Sequence, residues 1–376
     1  MEQPPTDAQL RRRYVALLQH EAVVDENDAL IESDYARWRE LKRMVIAFGL
    51  PRDEAAAASD ADPCGTTCSL RGRIWKLFLG VDAAVDREQY AALAARGASP
   101  FDGDIRNDTF RTFRGDPAFA QRVPEEKLAR LLNVFINELG TGGAHDASQV
   151  GEGHPEHIRY VQGMNILCAP LLYVMPEADA YYTFRQLVMK HCPHYMAPRL
   201  QGVESGCLLV DKCLQTLDVD LFHHLKSRGI TARIYALPLV LSLFACAPPL
   251  HELLRVWDVL FAVGVHFVVV LAVAHTVLLR EQLLHKDMDL MKILSLRFAP
   301  PLQSELLVSV ALQLLHRLPD ELIYEIARHP FEYPESASSL PLSPETIEFV
   351  LTEIWRQQQE KDQRQAAQGT RFANAA

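Results

Sequence analysis

The sequence predicts an all-α fold, on three observations. Apolar residues recur at the period of a helix that buries one stripe, at Leu128, Leu131, Leu132, Phe135, Ile136 and Leu139 and again at Leu307, Val310, Ala311, Leu314, Leu315 and Leu318. Helix punctuation flanks both stretches: Pro124 with Glu125 and Glu126 suits a first turn, Gly140 an end, and Pro319 a stop. Alternating β-branched runs bounded by hairpin turns are missing.

Taken in order, residues 1–52 form an N-terminal helical extension, with helical stretches at about 7–23 and 29–48 closed by Gly49-Leu50-Pro51. Residues 53–69 are rich in Ala, Asp and Gly and read as a linker. The core spans 70–284, and within it Thr141 to His157, rich in Gly, His and acidic residues, is a loop. Residues 285–356 are a C-terminal helical part packing on the core. Its last helix is opened by Ser343-Pro344-Glu345 and carries Ile347, Val350, Leu351 and Ile354. The polar stretch 357–376 is expected to be disordered.

From Val259 to Leu279 the chain is almost wholly apolar, interrupted by Gly264, His266 and His275. The unbroken part, Phe267 to Leu279, would reach only about 20 Å against a hydrocarbon core of about 30 Å. Two buried helices meeting at Gly264 are expected there, with no membrane insertion.

A chain of 376 residues that is 49% hydrophobic has ample core. Its net charge of -10 argues against wrapping nucleic acid or coating an anionic membrane. Seven scattered cysteines and no signal-peptide core point to a reducing, cytoplasmic setting with free, mostly buried thiols. Cys64 and Cys68 lack a second ligand pair, and the metal-like run His191-Cys192-Pro193-His194 is too small a cluster to assign; no metal is expected.

The chemistry lies in two short segments. In Ile105-Arg106-Asn107-Asp108-Thr109-Phe110-Arg111-Thr112 an arginine follows an aspartate by three residues, within its reach on a helix. About fifty residues later, Tyr160-Val161-Gln162-Gly163 sets a glutamine and a glycine ahead of an apolar helical run. Water attack on a nucleotide γ-phosphate asks for a cation to meet developing charge and an amide to orient the water. Arginine stays charged and presents a planar fork; a glutamine amide both donates and accepts. Asp108 would hold the guanidinium of Arg111, or of Arg71, and Gly163 would allow close backbone approach behind the glutamine. Tyr160 would pack against that turn. Each segment alone reads more readily as an ordinary surface ion pair or an exposed helix start than as a functional site. The chain has no Gly-x-x-x-x-Gly-Lys-Ser/Thr loop, so fingers of this kind would act on another protein's nucleotide.

The pair Ile-x-x-Asp-x-x-Arg and Tyr-x-Gln-Gly resembles the signature of the TBC domain, the GTPase-activating module for Rab-like GTPases. Further elements follow in the family's order. Arg71-x-x-x-Trp75-Lys76-x-Phe78-Leu79-Gly80 is similar to the opening motif, in which an arginine and a tryptophan anchor the first core helix. Tyr160 through Leu172, including Asn165, is similar to the most specific block, and Leu254 through Asp258 with Gly264 to the late Trp-Asp motif. The resemblance implies a two-lobed helical domain with flanking helices. It makes Arg111 an arginine finger and Gln162 a glutamine finger, supported by Asp108, Arg71, Trp75, Tyr160, Gly163 and Asn165. GTP and Mg²⁺ would belong to the partner, a Rab-like small GTPase, and this chain would carry no cofactor.

A narrower resemblance, carried by Ile105 through Phe113, by Ala245 through Leu250 and by Glu40 to Pro51 leading into Cys68 through Gly72, is to the fungal mitotic-checkpoint branch. That branch implies a bipartite activator with a second subunit at the spindle pole, restraining mitotic exit and septation. The competing expectation is a helical scaffold that binds a small GTPase or spindle-pole partner without accelerating hydrolysis.

Overall fold

The computed structural model describes residues 5–20, 33–51, 68–142, 160–197, 199–285, 289–294 and 300–332. Among these residues every regular element is helical. The segments assigned by sequence to the loop at 143–157, the helix after Ser343 and the tail 357–376 lie outside the described residues.

The N-terminal extension is a helical pair, α1 (Asp7–Leu18) and α2 (Asp34–Phe48). Thr6 and Gln9 close a capping box at the start of α1, and Ser33 accepts from the Ala36 amide at the start of α2. Leu10, Tyr14 and Leu17 of α1 face Leu41, Met44 and Val45 of α2 in the core. The extension packs on the domain, because its last carbonyls are met by buried arginines from the core. Arg255 donates to Val45 O at 3.0 Å and Ile46 O at 3.1 Å, and Arg71 donates to Leu50 O at 3.3 Å.

The first lobe comprises α3 (Leu70–Leu79), α4 (Arg87–Ala94), α5 (Asp102–Thr109), α6 (Pro117–Arg122), α7 (Glu125–Gly142), α8 (Met164–Val174) and α9 (Glu177–Gln186). Helix α7 is its axis, packed by α4, α5, α8 and α9. This helix runs through Gly140, the expected stop, to Gly142. Ser69, expected in the linker, is the N-cap of α3 and also donates to Val174 O, so the domain begins at or before it.

The second lobe holds α10 (Gln201–Leu217), α11 (Val219–Lys226), α12 (Leu250–Val263), α13 (Val268–Leu278), α14 (Ser304–Leu315) and α15 (Asp320–Arg328). Helix α13 is central, packed against α10 and α14. Gly264, at φ 132°, separates α12 from the turn leading into α13, as the apolar run predicts. Among the described residues no helix is long and apolar enough to cross a membrane. Pro319, expected only as a stop, is also the N-cap of α15.

Helix α3 joins the lobes, touching α8 and α9 on one side and α12 on the other. Trp75 of α3 meets Trp257 and Phe261 of α12 with ring centroids 5.7 and 5.2 Å apart. Beside them the fully buried Asp258 carboxylate accepts from Arg71 Nε at 3.0 Å, Arg71 Nη2 at 3.2 Å and Trp75 Nε1 at 2.9 Å. Three donors on a carboxylate with no access to water are what keeps such a charge in an interior. Arg71 is therefore bound to Asp258 and not to Asp108. Arg71 and Trp75, expected to support the fingers, are a cross-link between lobes, because the side chains of α3 point into the seam.

Candidate functional site

Helix α5 ends at Thr109, and residues 110–115 continue as tight turns. Ile105, fully buried, fixes the helix against the core, and this places Asp108, one turn later, on the same inward edge. Arg111 lies just beyond the helix yet still reaches back: its Nη2 donates to Asp108 Oδ1 at 2.7 Å and its Nε to Asn107 O at 3.0 Å. The Arg111 side chain is 29% exposed, against 6% for Asp108, so the guanidinium sits at the surface over a buried anion.

The other carboxylate oxygen is taken from across the fold. The Tyr160 hydroxyl donates to Asp108 Oδ2 at 2.7 Å. Burial raises the Asp108 pKa above the usual carboxylate range, against the opposing pull of the Tyr160 and Arg111 hydrogen bonds. The Tyr160 phenol is raised well above its ordinary value, first by burial and then by the Asp108 charge, so it stays a donor.

Gln162 follows Tyr160 by two residues, on the turn that starts α8. Gly163 has φ 108° and ψ -17°, a region L side chains avoid, so conformation is a reason for glycine here. Asn165, fully buried, ties this turn to the arginine segment: its Nδ2 donates to Thr112 Oγ1 at 2.7 Å, and its Oδ1 accepts from the Gly163 amide at 3.2 Å. Thr112 in turn donates to Asp108 O at 2.9 Å. Gln162 is half-buried, and among the described residues no hydrogen bond holds its side chain.

Asp108, Arg111, Tyr160 and Asn165 are thus brought into one hydrogen-bonded unit, with Gln162 and Gly163 on the turn between Tyr160 and Asn165. Sequence reasoning missed Thr112 as the acceptor for Asn165 and Asp258 as the partner of Arg71. Both residues lay inside quoted motifs, but spacing carries no record of where their side chains point.

The metal-like run is engaged otherwise. His191 Nε2 meets Leu79 O at 2.9 Å, His194 Nε2 meets Phe331 O at 2.9 Å, and the Cys192 thiol donates to Leu187 O. Burial pushes the Cys192 thiol up to about 12, and it pushes Cys213 to about the same value, which keeps both protonated near neutral pH. Among the described residues no group of His, Cys, Asp or Glu could hold a metal ion.

The helical fold and the aspartate shared by Arg111 and Tyr160 can be set beside known proteins. The model of the Rab-GTPase-TBC domain family matches residues 68–284, and the chain belongs to that family. Among curated proteins it is similar to the putative mitotic check point protein BUB2 of Dictyostelium discoideum, at 31% identity over 87% of this chain and 82% of that one. It is also similar to cell division control protein 16 of Schizosaccharomyces pombe, at 35% identity over 71% of this chain and 83% of that one. Among solved structures, the Ypt/Rab-GAP domain of Gyp1p shares the fold, with a TM-score of 0.59 at 14% identity over 85% of this chain and 99% of that one.

Proposed function

We propose that this protein is a GTPase-activating protein that supplies Arg111 and Gln162 in trans to a Rab-like small GTPase. It would act in a mitotic checkpoint as one subunit of a bipartite activator at the spindle pole. The observation that carries the proposal is the Asp108 carboxylate, which accepts from Arg111 on one oxygen and from Tyr160, two residues before Gln162, on the other. Segments 52 residues apart are thereby held as one rigid presentation.

In the complex the Arg111 guanidinium enters the partner's nucleotide pocket and meets the charge that grows on the γ-phosphate and bridging oxygen. An arginine delivered in this way lowers the barrier by about 4–7 kcal/mol, on the order of 10³–10⁵ in rate. The Gln162 amide accepts from the attacking water and donates toward phosphate. Preorganisation matters because ordering a long arginine at the moment of reaction would consume part of that gain. The nucleotide and its Mg²⁺ belong to the GTPase. The checkpoint assignment rests on the similarity to the two mitotic and cell-division proteins.

The test is single-turnover GTP hydrolysis by a panel of Rab-like GTPases, with the second subunit present. The wild-type chain is expected to accelerate one of them, and Arg111→Ala or Gln162→Ala to abolish most of the acceleration. Undiminished rates in both variants would sink the mechanism. A chain that bound the GTPase with no change in turnover would be a scaffold instead.

A further inference from the structure

The turn that carries Arg111 also carries two outward side chains that nothing in the finger mechanism uses. Phe110, immediately before Arg111, is 51% exposed. The Arg114 guanidinium lies over its ring, 4.2 Å from the centroid. Single exposed apolar residues are ordinary on a protein surface, so exposure alone decides nothing. Three further observations single this pair out.

The first is what Arg114 does not do. Several exposed arginines of the first lobe are spent on carboxylates, Arg106 on Asp102, Arg130 on Glu177 and Arg185 on Glu138, whereas Arg122, like Arg114, lies over a ring, that of Tyr173. No carboxylate of the described residues lies within ion-pair distance of Arg114. A guanidinium over a ring face is still able to donate from its N–H groups to an anion. The second is the rigidity of the support. Thr112 and Phe113, between the two, are buried. Thr112 is held by Asn165, and Phe113 packs on Phe119 with centroids 5.1 Å apart while its backbone sits at φ 47°. A buried phenylalanine in the left-handed region persists only where its surroundings over-determine it. The third is continuity, since Phe110 adjoins the residue that must enter the GTPase.

We propose that Phe110 and Arg114 form a docking anchor that seats against the GTPase beside its nucleotide, recognising an apolar side chain flanked by a carboxylate. Aromatic and arginine side chains on rigid supports dominate interface energetics. An anchor fixed to the same turn as Arg111 aligns that residue as the surfaces close. The pair therefore sets which GTPase is engaged, whereas Arg111 and Gln162 touch phosphates common to all of them. This rests on the finger function proposed above.

The experiment uses the full chain with its second subunit and the Rab-like GTPase whose turnover the wild type accelerates. Single-turnover rates are followed as a function of activator concentration. Phe110→Ala is expected to raise the half-saturating concentration at least tenfold while the plateau rate stays within twofold. Arg114→Glu is expected to raise it further, and Arg114→Lys, which keeps charge but loses the planar fork, to raise it partway. Arg111→Ala is expected to lower the plateau instead. A half-saturating concentration unchanged in both Phe110→Ala and Arg114→Glu, with the plateau lost in Arg111→Ala, overturns the anchor alone. A plateau kept in Arg111→Ala overturns the finger function beneath it. Matching melting temperatures are expected for the Phe110 and Arg114 variants, because both side chains are exposed.

Discussion

Replacing Asp108 by asparagine separates the holding of Arg111 from the holding of the fold. Asparagine keeps the shape of the side chain and removes its charge. In the native protein the two carboxylate oxygens accept from Arg111 and Tyr160, each at 2.7 Å. Burial nevertheless outweighs both bonds and raises the carboxyl pKa. A carboxyl raised on folding makes the fold less stable as pH climbs from the unfolded value through the folded one, so at neutral pH the ionised group is a net burden on stability. In the variant, the Asn Oδ1 still accepts from Arg111 and its Nδ2 donates to the Tyr160 oxygen, but the buried Tyr160 hydroxyl loses its acceptor. Relief of the buried charge and the cost of the orphaned phenol hydrogen, about 1–3 kcal/mol, offset each other, so global stability at pH 7, measured by urea denaturation, should stay within about 2 kcal/mol of the native value. The tether on Arg111 fares differently. A hydrogen bond to a charged partner contributes about 1.5–3 kcal/mol and a neutral one about 0.5–1.5, so the guanidinium loses roughly 1–1.5 kcal/mol of preorientation. That corresponds to about a tenfold fall in single-turnover GTP hydrolysis. A variant that lost more than about 2 kcal/mol of stability with its activation rate intact would refute the reasoning, since Asp108 would then serve the fold and not the finger.

Two further outcomes follow from the interior. Asp258→Ala strips the acceptor from Arg71 and Trp75 and leaves a buried guanidinium uncompensated, which should destabilise the protein by about 3–5 kcal/mol; an unchanged denaturation midpoint would show that the lobes do not depend on this link. His329, wholly inside the second lobe, has Nδ1 2.6 Å from Ile326 O, so that nitrogen carries the proton and Nε2 accepts from the Tyr195 hydroxyl at 2.7 Å. Burial lowers its pKa to about 4. A histidine lowered on folding is protonated first in the unfolded chain, so stability should fall as pH drops from about 6.5 towards 4, by up to about 3 kcal/mol. Denaturation curves for wild type and His329→Gln across that window check this; equal slopes would exclude His329 as the cause.

The fold class was legible because helical burial leaves a local trace. The stripes through Leu128 to Leu139 and Leu307 to Leu318 each record which face of one helix meets the core, and no distant residue is needed to interpret them. Helix ends were less legible. Gly140 costs α7 on the order of 1 kcal/mol, less than the packing of a strongly amphipathic helix contributes, so the helix continues past it. The site divides in the same way. Asp108 and Arg111 meet within one turn, and their spacing announces the pair. Arg71 stands 187 residues from Asp258, and no local rule distinguishes that partner from Asp108. Tyr160 shows the same limit from the other side. Its position before Gln162 was visible, but the hydroxyl that reaches Asp108 depends on how α8 leans on α5, a matter of packing between helices 52 residues apart in their contacts. Residues that act across the fold are read as motifs in a sequence and acquire a mechanism only when their side chains have directions. The coupling of Arg111 to the Tyr160 segment through one buried carboxylate belongs to that second kind of knowledge, and for that reason it is the part that mutation of Asp108 tests most directly.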